Sequence, residues 1–297
     1  MRVNRALVYL DNLQEYSLVA VTPFHTYVIG AERPVGLYLT RALSQENLYY
    51  KAVSLEGHER LSEQSSGHPF FVILPSLAVP GDLDSADYWI DIAREHDATV
   101  VLLSSLQVFG SAGQEQGREF REDDEVSSAS PLEERIAETE EKLRNACSRH
   151  IILRVGAEFS FYSGDFSHQL LKAVRDERTL ELDDEVLLAP TPDDDVAAVI
   201  LAMIRQADCS DSLWGTYHFT GTEPVTLYDF GEAMVAEASQ YEDLSDVKLI
   251  QGDSDTLLTQ LPVCADLTKI LHHFGVQHKP WRKGLSRVLA HHYRGKG

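Results

Sequence analysis

Two glycines, Gly30 and Gly36, stand six residues apart in the stretch TYVIGAERPVGLYLTRAL, between an apolar segment and a helical one. This spacing is typical of turns that hold phosphate groups, because glycine lets the backbone approach a pyrophosphate closely. The position midway between them is Arg33, whose side chain would crowd that approach. Two interpretations follow. Either the Arg33 guanidinium pairs with a phosphate, or it lies beside Glu32 in a surface turn that holds nothing.

Metal-ligating residue types occur in the chain, but their spacing does not predict a metal site. His272-His273 and His291-His292 are adjacent pairs, and neighbouring side chains on a helix point about 100° apart. The acidic run Asp193-Asp194-Asp195 opens a predicted helix, where carboxylates complement the helix dipole. We therefore expect no bound metal.

The composition excludes several classes of protein. The 297 residues include 47 acidic and 26 basic side chains, for a formal net charge of −21, which repels nucleic acids and anionic membrane surfaces. The sequence contains no run of about 18 apolar residues, and its three cysteines form no CxxC pair. We expect a globular cytoplasmic protein that binds neither nucleic acid nor membrane.

The elements that must position these residues follow an alternating pattern. Residues 1–23 alternate apolar and polar types and predict an added N-terminal β-hairpin. Over residues 24–156, strands and helices alternate, which predicts an α/β fold with a doubly wound, mostly parallel sheet of the Rossmann type. Residues 157–297 are mixed and predict a smaller C-terminal lobe that completes the sheet. Glu56 follows the second predicted strand, where an acid can bind a ribose hydroxyl or simply face solvent.

Several segments occur in an order that resembles one family. They are VLLSSLQVFGSAG (101–113), PLEERIAETEEKLRNACSRHIILRVG (131–156), LLAPTPDDDVAAVILAMI, YHFTGTEPVTLYDFGEAM and LPVCADLTKILHHFGVQHKPWRKGLSRVL. Over residues 24–290 the chain resembles the extended short-chain dehydrogenase/reductases, in particular the sugar-nucleotide reductases of the RmlD type. The resemblance implies an NAD or NADP cofactor held at Gly30, Arg33, Gly36 and Glu56, and a nucleotide or nucleotide-sugar ligand.

The catalytic pair of that family is absent. Its helix carries a Tyr that donates a proton and, four residues later, a Lys that lowers the pKa of the Tyr and binds the cofactor. Aligning the start of the helix at Pro131 places Arg135 at the Tyr position and Thr139 at the Lys position. Arginine is a poor proton donor because it stays protonated, and threonine carries no charge.

The third catalytic position, a serine or threonine in the family, is retained as Ser105, but Leu106-Gln107 follow it instead of Asp-Tyr. A hydroxyl alone does not supply the missing proton. Tyr162 lies in the next loop, where it either acts as a relocated acid or packs against the wall of the site.

Three hypotheses stay open. The first is a non-catalytic relative that binds a nucleotide or nucleotide-sugar as a sensor, scaffold or regulatory subunit. The second is an active NAD(P)-dependent reductase or epimerase whose acid is Tyr162 or a water held by Ser105. The third is a structural interaction protein with an empty cleft and no cofactor, which contacts a protein partner or forms a homodimer through residues 1–23 or 131–147.

Overall fold

The computed structural model describes residues 25–57, 68–79, 81–114, 119–127, 130–162, 165–185, 187–207, 212–252 and 265–294. The hairpin predicted over residues 1–23 lies outside the described residues.

The strands and helices follow the predicted alternation. The strands are β1 (His25–Ile29), β2 (Tyr50–Val53), β3 (Pro69–Ile73), β4 (Thr99–Ser105), β5 (His150–Val155), β6 (Ala157–Phe159), β7 (Thr179–Leu182), β8 (Leu187–Leu188), β9 (Pro190–Pro192), β10 (Gly215–Phe219), β11 (Val225–Thr226) and β12 (Lys248–Gln251). The helices are α1 (Pro34–Gln45), α2 (Asp82–Glu95), α3 (Pro131–Ala146), α4 (Phe166–Asp176), α5 (Asp193–Ala207), α6 (Leu227–Ala238), α7 (Thr268–Phe274) and α8 (Trp281–Arg294), with a 3₁₀ helix over Leu106–Gln114.

Six strands form one parallel sheet in the order β10-β5-β4-β3-β1-β2. Strands β3 and β4 are buried along their whole length, as expected of continuous apolar runs at the centre of a parallel sheet. This arrangement confirms the predicted Rossmann-type α/β fold. The carboxyl ends of the strands meet at one edge, where ligands bind in such folds.

Helices cover both faces of the sheet. On one face α1 and α5 bury Leu39 and Ile200 against sheet residues such as Val72. On the other face α2 and α3 bury Trp89 and Leu143. Each helix is therefore fixed by an apolar stripe, which also fixes the polar residues at its ends.

A smaller C-terminal lobe has an apolar core of its own. It is built from β6, α4, α6 and α8 around Phe159, Phe230 and Trp281, all fully buried. Strand β6 pairs with β9 directly after β5 leaves the main sheet, so the lobe adjoins the carboxyl edge of that sheet. Among the described residues, no helix combines the length and the apolar character needed to cross a bilayer.

Candidate active site

The turn between β1 and α1 needs both of its glycines for packing. Gly30 has φ +87°, and a Cβ there would lie 2.6 Å from the carbonyl oxygen of Leu74. A Cβ on Gly36 would lie 2.2 Å from the carbonyl oxygen of Gly30. The turn and the adjoining end of β3 are therefore closely packed, and this alone accounts for the two glycines.

Arg33 lies in this turn and joins it to the start of α2. Its Nε and Nη2 donate to the two carboxylate oxygens of Asp82 at 2.8 and 2.5 Å. Asp82 is 1% exposed and also accepts the backbone N–H of Ser76 at 2.8 Å. Burial lowers the pKa of Arg33, but the hydrogen bonds and charge of Asp82 outweigh it, and the net pKa is raised. The guanidinium thus pairs with a carboxylate of the chain itself, which neither of the two interpretations of Arg33 included.

Two acidic residues, Glu32 and Glu56, also link the turn to the segment that follows β2. Glu32 accepts the backbone N–H of Leu55 at 2.9 Å and the hydroxyl of Ser54 at 3.1 Å, both at the end of β2. Glu56, which the sequence leaves open between a ribose ligand and a solvent-facing residue, is largely exposed and lies 3.4 Å from the Arg33 guanidinium. Two of the positions considered for a dinucleotide are therefore in contact with each other.

At the end of β4, two serines face different partners. The Ser105 hydroxyl accepts the backbone N–H of Gln107 at 3.1 Å, which stabilises the start of the 3₁₀ helix. The Ser104 hydroxyl donates to Glu140 at 2.6 Å. Ser105 is 5% exposed, so the retained hydroxyl is buried and already hydrogen-bonded.

Glu140 is the centre of a buried charge cluster. Both of its oxygens accept from Arg154, at 2.9 and 2.6 Å, and one also accepts from Arg144 at 2.8 Å. Burial raises the pKa of Glu140, but Arg154, Ser104 and Arg144 outweigh it, and the net pKa is lowered. Glu140 follows Thr139 directly on α3, so this cluster fixes the helix against β4 and β5.

Arg135 and Thr139 face α2 and each other. Arg135 donates to Asp87 at 2.7 Å and to Asp84 at 3.0 Å on α2. Its Nη1 also donates to the Thr139 hydroxyl at 3.0 Å, and that hydroxyl donates to the Arg135 carbonyl oxygen. The pair that replaces Tyr and Lys therefore links two helices.

Between the ends of β3 and β4 and helix α3 lies a cavity with a free volume of about 10 Å³. Its lining includes Leu77, Leu83, Ile136, Thr139 and Ser104. Such a volume holds about one water molecule. Apolar side chains fill the space beside the position where the catalytic pair would act.

One acidic side chain also lines this cavity. Glu158, on β6, is half-buried, and its burial together with the charge of Asp165 raises its pKa to about 8. Asp193 at the start of α5 is 2% exposed, and burial and the charge of Glu158 raise its pKa well above the usual value. Near neutral pH Glu158 therefore retains its proton.

Tyr162 lies against α1. Its ring centroid is 6.0 Å from that of Tyr38, and Arg41 and Asp193 are close enough to influence its pKa, which burial raises. Among the described residues, no hydrogen bond or ring contact joins Tyr162 to Ser105.

The other predicted groups have structural partners. Asp194 and Asp195, at the start of α5, pair with Arg287 at 2.8 and 2.9 Å, and Asp195 also pairs with Lys279. The His273 ring contacts the Tyr217 hydroxyl at 2.8 Å. Within the described ranges, no group of three His, Cys, Asp or Glu residues is placed to hold a metal.

Sequence reasoning missed Asp82, Glu140 and Glu158. Glu158 alone left a signal, as a single charge inside the apolar run AEFSF. Asp82 and Glu140 sit among other acidic residues, and only the packing of α2 and α3 distinguishes them.

Comparison with known proteins agrees with the segment resemblance. Residues 83–294 match the model of the RmlD substrate binding domain. A dTDP-4-dehydrorhamnose reductase of Aggregatibacter actinomycetemcomitans is 27% identical over 222 residues, covering 73% of this chain and 74% of that protein.

Two solved structures show the same fold. The dTDP-4-dehydrorhamnose reductase of Clostridium acetobutylicum superposes with a TM-score of 0.73 at 17% identity, covering 90% of this chain and 99% of that one. The Bacillus anthracis dTDP-4-dehydrorhamnose reductase, solved in complex with NADP, gives a TM-score of 0.70 at 15% identity, with 90% and 98% coverage. The family model covers well over half of the sequence, and the chain therefore belongs to the RmlD family of extended short-chain dehydrogenase/reductases.

Proposed function

We propose that this RmlD-family protein is a pseudoenzyme that acts as a sensor, scaffold or regulatory subunit. The observation that carries the proposal is the ion pair between Arg33 and Asp82. A dinucleotide in this fold places its pyrophosphate at the amino end of α1, between the ends of the strands. In this chain the Arg33 side chain, held by a buried carboxylate, crosses that position.

The residues present therefore do not fit NAD or NADP in this arrangement. Binding either cofactor would require Arg33 to leave Asp82, which would strand a buried carboxylate. Removing the partner of the buried Asp82 carboxylate costs about 2–4 kcal/mol.

The positions of the catalytic pair also support the proposal. Arg135 donates hydrogen bonds to Asp87 and Asp84 and to the hydroxyl of Thr139. Neither side chain supplies a proton at neutral pH. Loss of general acid catalysis alone typically lowers a rate about 10²–10⁴-fold.

The direct test is reductase activity. The purified protein is incubated with NADPH and dTDP-4-dehydrorhamnose, the substrate named for its relatives, and NADPH absorbance is followed. We expect no turnover above the rate without protein. Turnover at an enzyme-like rate, about 1 s⁻¹ or faster, would overturn the proposal.

A second candidate function is an active reductase with a relocated acid, and Glu158 favours it. Its pKa of about 8 leaves it protonated at neutral pH, and it lines the cavity that also contains Ser104 and Thr139. A carboxylic acid kept neutral by its surroundings can donate a proton. If turnover is observed, Glu158→Gln should abolish it, whereas Tyr162→Phe should leave it unchanged.

A further inference from the structure

A second and larger concavity lies between α1, α5 and α8, and we call it the helix groove. Its volume is about 520 Å³, within the range of small-molecule sites. The α1 residues that line it include Tyr38, Arg41 and Ala42, whereas Leu39 and Leu43 of the same helix face the sheet. The helix groove therefore borders the main core, against which Tyr38 and Ala42 also pack.

Apolar side chains form the floor of the helix groove. Ala42 contributes from α1, while Ala198, Leu201 and Ala202 contribute from α5. Because three of these four side chains are single methyl groups, the floor leaves room for a flat apolar group to lie against it. Burial of such a group is favourable by about 25 cal/mol per Å² of apolar surface.

Three arginines surround this floor, and two of them are neutralised. Arg287 pairs with Asp194 and Asp195, and Arg205 pairs with Glu46. Their charges are thus already balanced by carboxylates in or beside the helix groove.

Arg41 differs from the other two. Its Nη1 lies 2.9 Å from Nε2 of His291, and within the described part of the chain it has no carboxylate partner. Although the protein has a net charge of −21, the positive charge of Arg41 in this concave site is not neutralised by a paired carboxylate. A guanidinium that is not paired with a carboxylate can donate two parallel hydrogen bonds to phosphate oxygens.

Tyr38 adds a second polar group beside Arg41. Its ring centroid is 5.6 Å from that of His291, so the two rings stand on the same side of the helix groove. Its hydroxyl is buried and has no hydrogen-bond partner among the residues that the structure describes. A ligand oxygen would satisfy this group once a change of the Tyr38 rotamer exposes it to the helix groove, and its burial without a partner is otherwise unfavourable.

We propose that the helix groove binds a nucleoside diphosphate or a closely similar ligand, with its phosphates on Arg41 and its flat ring over the alanine floor. The proposal rests on the sensor role proposed above and gives that role a ligand site separate from the closed turn at Arg33. Since the net charge repels anions, a bare phosphate is expected to bind poorly. Both parts of the ligand are therefore needed.

The test is a calorimetric titration of the full chain with uridine diphosphate, uridine and inorganic pyrophosphate. We expect the diphosphate nucleoside to bind at least tenfold more tightly than either fragment. Arg41→Ala should weaken its binding at least tenfold, and Ala198→Trp should do the same by filling the floor. Ala198 is exposed, so the larger side chain does not disturb the core.

Lys283→Ala is the matched control, because Lys283 is an exposed cation on α8 that does not line the helix groove. It should leave the affinity unchanged. The proposal is overturned if wild-type protein does not bind at millimolar ligand, or if Arg41→Ala and Lys283→Ala have equal effects. Reductase activity is measured separately, so a failed pseudoenzyme proposal and a failed groove proposal give different results.

Discussion

Asp82 holds Arg33 by two hydrogen bonds, from Nε to Oδ2 at 2.8 Å and from Nη2 to Oδ1 at 2.5 Å. The same carboxylate accepts the N–H of Ser76 just after β3. An ion pair within the chain thus spans the crevice between two strand ends, where folds of this type receive their ligand.

Replacing Asp82 by alanine should lower the free energy of unfolding by about 2–4 kcal/mol, because Arg33 and the Ser76 N–H lose their buried acceptor. Urea denaturation followed by circular dichroism measures the change. Asp84→Ala is the control, since Asp84 is largely exposed in its pair with Arg135 and should cost at most about 1 kcal/mol. Equal losses in the two variants would show that the buried pair does not stabilise the turn.

Introducing the family lysine at position 139 should destabilise the protein. Thr139 is 1% exposed beside a cavity that holds about one water, so Thr139→Lys places an ammonium in a buried site. We expect the free energy of unfolding to decrease by about 3 kcal/mol or more. Thr139→Val, which removes only the bonds with Arg135, should cost about 1 kcal/mol. The thermal midpoint distinguishes them, and a Lys variant as stable as the Val variant would disprove the closed site.

Glu140→Gln should destabilise the protein by about 3–5 kcal/mol, because the Arg154 charge stays buried without its counter-ion. The neighbouring Glu141, whose side chain is mostly exposed, provides the matched control. Glu141→Gln should change the free energy of unfolding by at most about 1 kcal/mol. If the two neighbours behaved alike in denaturant, the buried cluster would have no special role in fixing α3.

The pH dependence of stability should depend on Glu158. An unfolded chain loses this proton near pH 4.5, whereas the folded protein keeps it until about pH 8. Between these values the unfolded state binds fewer protons, so the free energy of unfolding decreases as the pH rises. Glu158→Gln carries no such proton, so its free energy of unfolding relative to wild type should increase by about 3–4 kcal/mol from pH 5 to pH 8.

Urea unfolding of both proteins at pH 5, 7 and 8.5 measures this difference. Glu177→Gln, at an exposed position after α4, serves as the control and should follow the wild-type pH profile. A difference between Glu158→Gln and wild type that stays constant with pH would mean that Glu158 is ionised in the folded protein at neutral pH.

The sequence was sufficient for the fold and for the absence of the catalytic pair. Apolar runs such as PFFVI predict central parallel strands, and a missing Tyr-x-x-x-Lys is visible without coordinates. The state of Arg33 was left open between a phosphate ligand and a surface residue. Its partner Asp82 lies 49 residues away, among several acids of α2 that the sequence does not distinguish.

The proton on Glu158 was beyond sequence reasoning for a similar reason. Its pKa depends on burial and on the charge of Asp165, and the pKa of Asp193 depends in turn on Glu158. Separate parts of the chain bring these three carboxyls together. Local patterns predict each of those parts, but the distances between their side chains arise only when the lobe packs against the sheet.

The most direct measurement is a calorimetric titration of wild-type protein and Arg33→Gly with NADPH and, separately, NADH. If Arg33 closes the turn, wild-type protein gives no saturable heat up to millimolar cofactor, and Arg33→Gly does not bind more weakly. Micromolar binding by wild-type protein that Arg33→Gly weakens would contradict this account. The guanidinium would then exchange Asp82 for a phosphate, and the turn would still serve a dinucleotide.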